Sequence, residues 1–75
     1  MNKDRRKQLR QWSQKAEILK DELESILWDE QNYYDNIPEN LQYSSRAEDS
    51  GEAIECIEEA IEILGEAIDK VGEVI

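Results

Sequence analysis

The C-terminal third of the chain, GEAIECIEEAIEILGEAIDKVGEVI, repeats with a period of seven residues. Its large apolar residues recur at alternating steps of three and four: Ile54, Ile57, Ile61, Leu64, Ile68, Val71 and Ile75. Because an α-helix has about 3.6 residues per turn, a spacing that averages 3.5 keeps all of these side chains on one side of the helix. The pattern predicts a helix with an apolar seam that packs on another helix. It argues against disorder, which an acidic composition alone would allow.

Small residues flank this seam, with Ala53, Ala60 and Ala67 on one side and glycines on the other. Glycine inside a helix costs about 1 kcal/mol relative to alanine. Three glycines in one helix therefore indicate close approach of a second helix.

The first half of the chain carries the same period less regularly. The predicted seam is Leu9, Trp12, Ala16, Leu19, Leu23, Ile26, Glu30, Tyr33 and Ile37. Pro38 interrupts the helical pattern, and Ser45 with Glu48 has the spacing of a capping box. We therefore predict helix 1 at about 3–34, a turn at about 35–45 and helix 2 at about 46–75. The chain 1–75 is then one all-α domain, an antiparallel two-helix coiled-coil hairpin.

Four apolar residues lie off the predicted seam and indicate a second packing surface: Ile18, Trp28, Tyr34 and Ile63. A chain of 75 residues with one cysteine and no histidine has neither an internal disulfide nor the common zinc sites to stabilise it. We expect a homodimer in which two hairpins form a four-helix bundle. Two alternatives stay open: an anchor for another protein, and a hairpin exchanged between two chains.

Charge is distributed unevenly along the chain. Residues 1–20 have a net charge of +5, residues 21–59 of −12, and residues 60–75 of −3. In an antiparallel hairpin we expect the basic N-terminal residues to pair with Glu66, Asp69 and Glu73, which leaves negative charge concentrated at the loop end. No apolar stretch suits a membrane span or a signal peptide, so we expect a cytoplasmic protein.

The turn at residues 35–44, DNIPENLQYS, and the E-A-I heptads after it carry a resemblance to a known group. They resemble the D-N-[IL]-P-x-x-L-Q turn and acidic heptad helix of small uncharacterised proteins from Firmicutes phages and mobile elements. The likeness covers nearly the whole chain, and the turn is its distinctive part. It implies a helical hairpin of phage or mobile-element origin that resides in the cytoplasm of a bacterial host cell, and it implies no activity, cofactor or functional residue.

Three functions remain compatible with the sequence. The first is a non-catalytic module that binds protein, as a homodimer. The second is a mimic of nucleic acid that inhibits a basic protein, such as a nuclease or a DNA-binding protein. The phage origin that the resemblance implies makes a host defence nuclease the expected target. The third is a purely structural oligomer. The candidate contacts with a basic partner are Asp29, Asp35, Glu39, Glu48, Asp49, Glu52, Glu55 and Glu59.

Several other functions are disfavoured by the residues present. Without histidine, the Glu-x-x-His motif of di-iron bundles is absent, and no segment has the ligand spacing of a calcium loop. We expect no cofactor and no enzymatic activity. Direct binding of nucleic acid is disfavoured because the acidic residues repel phosphate. Cys56 is expected to be a partly buried, inert thiol.

Overall fold

The computed structural model describes residues 1–75 and contains two long helices. Helix α1 spans Lys3–Asp35, a short 3-10 turn spans Glu39–Leu41, and helix α2 spans Ser45–Gly72. The two helices contact each other and form an elongated hairpin of 59 × 15 × 13 Å. The prediction of an all-α two-helix hairpin is confirmed.

The helix ends follow from the polar residues placed there. Asn2 caps α1 by accepting a hydrogen bond from the Arg5 amide at 2.8 Å. Ser44 caps α2, because its Oγ accepts from the Ala47 amide at 3.4 Å while donating to the Leu41 carbonyl at 2.6 Å. The predicted cap at Ser45 is therefore wrong by one residue. Two adjacent serines both suit the role, and the Leu41 carbonyl is within reach of Ser44.

The core of the hairpin is thin, as expected for two helices that cover each other along one side only. Its buried apolar residues are Ala16, Ile37, Ala47 and Ile68. Ser50 is also buried, and its hydroxyl donates to Glu30 Oε1 at 2.9 Å. The seam of α2 thus begins at Ala47 and includes Ser50, whereas the predicted seam begins at Ile54. At its other end α2 stops at Gly72, so Ile75 lies beyond the helix and is exposed.

The glycine side of α2 faces side chains of α1. A Cβ placed on Gly51 would lie 3.7 Å from Tyr34 Cε2, and one placed on Gly65 would lie 3.6 Å from Lys20 Cε. From Gly51 to Gly65 along α2, the contacted residue of α1 moves back from Tyr34 to Lys20, so the helices run antiparallel.

The predicted seam of α1 is half wrong. Ala16 and Ile37 are buried and Leu9, Leu23 and Glu30 are half-buried as expected, but the other four predicted seam residues are exposed. Trp12 is 41% exposed, Leu19 54%, Ile26 53% and Tyr33 44%. The neighbouring row Ser13, Lys20 and Leu27 is half-buried in their place. Both rows have the same seven-residue spacing, so the period alone does not distinguish them.

Neither long helix contains a segment that is apolar enough to cross a lipid bilayer.

Candidate protein-binding faces

Two grooves at the loop end mark two different broad faces of the hairpin. One groove is lined by Glu30, Tyr33, Arg46, Asp49, Ser50 and Ala53. The other is lined by Gln31, Tyr34, Asp35, Gly51, Ile54 and Glu55. Consecutive helical residues point about 100° apart, so Tyr33 and Tyr34 fall on either side of the contact between the helices. The grooves therefore open on opposite sides of the hairpin.

The face on the Tyr33 side is apolar over most of its length. Trp12, Leu19, Ile26 and Tyr33 form a row along α1 with a spacing of seven residues. Beside them on α2 runs a row of alanines, Ala53, Ala60 and Ala67, with Ala53 in the same groove as Tyr33. We call these two rows together the apolar face. A continuous exposed apolar surface that runs along most of a molecule usually marks an interaction site.

The face on the Tyr34 side is acidic, and we call it the acidic face. Helical geometry places several carboxylates around the exposed side of Gly51 and Gly65. On α2 they are Glu48, Glu55, Glu58, Glu62 and Asp69, and on α1 they are Glu17, Glu24 and Asp35. All of them are exposed. The hairpin therefore separates apolar and acidic surface onto opposite sides.

The eight carboxylates predicted to contact a basic partner do not lie on one surface. Asp35 and Glu55 line the groove of the acidic face, and Glu48 lies one helical turn before Glu55. Asp49 lines the groove on the apolar side, and Asp29 borders the apolar row of α1. Glu52 and Glu59 lie on the outer edge of α2, and Glu39 lies in the 3-10 turn.

The four residues predicted to form a second packing surface are also separated. Tyr34 contacts the glycine side of α2, and Trp28, which is 65% exposed, lies towards the same acidic face. Ile63 is 64% exposed beside the alanine row, and Ile18 is 60% exposed on the outer edge of α1. The sequence reasoning missed the row from Trp12 to Tyr33 as surface, because it assigned that row to the seam.

Ion pairs neutralise very little of the charge. The two pairs in the molecule are Lys20 with Glu24 at 3.9 Å and Lys70 with Glu73 at 3.5 Å, each within one helix. Arg6 and Arg10 share a groove with Glu73 but form no ion pair with it. The basic N-terminal end thus lies beside Glu73 as predicted, but the expected ion pairs with Glu66, Asp69 and Glu73 do not form. Long exposed side chains gain little from such pairs, so they remain solvated.

Two further features concern chemistry. Cys56 is exposed rather than partly buried, which corrects the prediction. No group of three or more His, Cys, Asp or Glu side chains is arranged to hold a metal ion.

Comparison with known proteins adds no relative: no family model matches the chain, and no curated protein or solved structure is significantly similar to it.

Proposed function

We propose that this chain is a non-catalytic protein-binding module that acts as a homodimer, with its acidic face directed at a basic partner protein. The observation that carries the proposal is the separation of the two faces. The apolar face is exposed along the hairpin, where a second copy can cover it, and the acidic face on the other side then stays accessible. Association through one face leaves binding through the other unobstructed.

The absence of catalysis is part of this proposal. Catalytic groups work best in sites that exclude water, whereas a hairpin of two helices has no interior beyond the contact between them. The residues that line its two grooves at the loop end include carboxylates, Arg46 and tyrosines. No histidine is present to act as a base at neutral pH.

Mimicry of nucleic acid is the second candidate for what the acidic face does. It is favoured because only Glu24 and Glu73, among nineteen acidic residues, take part in ion pairs. Carboxylates three or four residues apart on a helix are about 5–6 Å from one another, and they form a regular array of negative charge. Such an array attracts the basic groove of a nuclease or DNA-binding protein over long range. This second candidate includes an origin in a Firmicutes phage or mobile element. Its target is then a nuclease or DNA-binding protein of the bacterial host.

The test uses two matched variants of the tagged protein. The triple variant Glu55→Lys, Glu58→Lys and Glu62→Lys reverses the acidic face. The control, Glu52→Lys, Glu59→Lys and Glu66→Lys, changes the net charge equally on the outer edge of α2. Each bait is incubated with a Firmicutes lysate at low salt and at about 1 M salt, where electrostatic screening reduces the Debye length to about 3 Å. Circular dichroism verifies that both variants stay helical.

We expect the wild type and the control to retain a basic protein at low salt, and the acidic-face variant to lose it. Release at high salt, together with competition by DNA or RNA, would support mimicry. A partner retained equally by all three baits would contradict the assignment to the acidic face. Retention of nothing except the chain itself would favour the third function, a purely structural oligomer.

A further inference from the structure

We propose that two copies associate through their apolar faces with their loops at opposite ends, so that α1 lies on α1 and α2 on α2 of the second copy. In this register Trp12 lies opposite Tyr33 of the second copy, and Leu19 lies opposite Ile26. The inference deepens the proposed function and rests on its homodimer. Four observations support this arrangement: surface area, the order of side-chain sizes, the level of the helices and the charge pattern.

The exposed area is larger than a compact monomer of this mass has. The chain exposes 6035 Å² for a mass of 8.8 kDa, whereas folded monomers of that mass expose about 4,800 Å². The excess is about 1,200 Å² per chain. Two chains that each bury this amount form an interface of about 2,400 Å², which lies in the range of obligate homodimers.

The order of side chains along the apolar face suits an antiparallel pairing. When the α1 rows of two copies run in opposite directions, the aromatic Trp12 lies opposite the aromatic Tyr33. The aliphatic Leu19 then lies opposite the aliphatic Ile26. Reversing the alanine row places Ala60 on its own copy and Ala53 on Ala67. The small alanines let the two α2 helices approach closely, while the large residues of α1 fill the wider side.

A single two-fold axis of the dimer can relate both rows to their copies, because the midpoints of the two rows lie at the same height along the hairpin. The row of α1 has its midpoint between residues 22 and 23, and the alanine row has its midpoint at Ala60. Residues of the two antiparallel helices that lie side by side have numbers with a nearly constant sum. This sum is 80 for Glu30 with Ser50 and 85 for Tyr34 with Gly51. Ala60 is therefore level with residues 20–25 of α1, a range that contains the first midpoint.

The charges at the edges of the face have the matching order. Lys15 and Asp29 border the row of α1, and Asp49 and Lys70 border the alanine row. In the antiparallel register Lys15 lies beside Asp29 of the second copy, and Asp49 lies beside Lys70. An arrangement with both loops at the same end would instead bring the two strongly acidic loop ends together. Glu22 lies near the two-fold axis, close to Glu22 of the second copy. The two carboxylates repel each other, so this contact disfavours the proposed register.

The first measurement is the mass in solution, by sedimentation equilibrium, of the wild type and two variants. Leu19→Glu places a charge at the centre of the apolar face, whereas Ile18→Glu adds the same charge at a similarly exposed position off that face. Both positions are exposed in the hairpin, so we expect both variants to fold. We expect a dimer of twice 8.8 kDa for the wild type and Ile18→Glu, and a monomer for Leu19→Glu.

The second measurement tests the register through charge. Lys15 and Asp29 are fourteen residues apart on one straight helix, about 21 Å, so they do not meet within one chain. We expect Lys15→Glu and Asp29→Lys each to weaken the dimer severalfold and the double variant to regain the wild-type dissociation constant. We expect Glu22→Gln to tighten it. Additive weakening in the double variant would overturn the register.

The third measurement tests orientation directly. Cys56→Ser with Tyr43→Cys places a single spin label at the loop, where Tyr43 is 95% exposed. At 1.5 Å per residue from the two-fold axis, the antiparallel dimer separates the two labels by roughly 50 Å. A separation under about 30 Å would overturn the orientation while leaving the homodimer intact. A monomer at all concentrations would overturn both, whereas binding by the acidic face is judged separately from the lysate experiment.

Discussion

Gly51 and Gly65 face side chains of α1, yet neither position lacks room for a methyl group. The distances of 3.7 Å to Tyr34 and 3.6 Å to Lys20 are ordinary van der Waals contacts for a Cβ. Both glycines have helical backbone conformations without positive φ. Their cost in helix propensity is therefore not compensated by a steric need within the hairpin.

We expect Gly65→Ala to raise the free energy of unfolding by about 1 kcal/mol, because alanine has the higher helix propensity and Lys20 is flexible enough to accommodate it. Urea denaturation followed by circular dichroism measures the change. Gly72→Ala is the matched control, since Gly72 is the last residue of α2 and has nothing within 4 Å. Its effect should be smaller. A destabilised Gly65→Ala variant would show that the two helices need the closer approach that glycine allows.

Residue-level burial was only partly predictable from the sequence. The seam of α2 is correct from Ile54 to Val71 because Ile63 is the only large aliphatic residue of that helix outside it. In α1 two adjacent rows share the seven-residue period, and the apolar pattern predicts burial of the more apolar row. The structure instead half-buries Ser13 and Lys20, whose aliphatic part lies over Gly65. Burial of a lysine stem is not visible in a pattern of apolar residues.

The junction between the turn and α2 depends on one serine hydroxyl. Ser44 Oγ both caps the helix and donates to the carbonyl of Leu41, so it connects the 3-10 turn to the first turn of α2. We expect Ser44→Ala to lower the free energy of unfolding by about 1 kcal/mol. The adjacent Ser45→Ala, within the helix, should change it little. Thermal denaturation of the two variants side by side makes the comparison, and equal effects would contradict the assignment of the cap.

At the scale of elements, the hairpin follows from signals that are local in sequence. Pro38 ends the helical pattern, polar residues cap both helices, and the heptads give each helix an apolar side. The position of the cap differed by one residue because Ser44 and Ser45 offer the same chemistry. What local signals do not supply is the rotation of α1 about its axis. That rotation depends on contacts with α2, and it determines which row becomes surface.

The whole molecule consequently has an apolar and an acidic side that the sequence reasoning did not anticipate. If the apolar face is covered by a second copy, folding and association are coupled, and stability depends on concentration. We expect the midpoint of thermal unfolding to rise measurably for each tenfold increase in protein concentration. The Leu19→Glu variant should show no such dependence. A midpoint that is independent of concentration in the wild type would indicate that the hairpin unfolds as a monomer.

The elongated shape has a consequence for how this molecule scatters X-rays. Its radius of gyration is 17.2 Å, whereas a compact chain of its length has about 11 Å and a value near 17 Å belongs to compact chains of about 220 residues. Two rods that lie side by side remain nearly as long as one, so pairing doubles the forward scattering while the radius of gyration hardly changes. Rods joined end to end would increase both. Forward scattering and radius, measured together over a dilution series, therefore distinguish lateral pairing from growth of a filament.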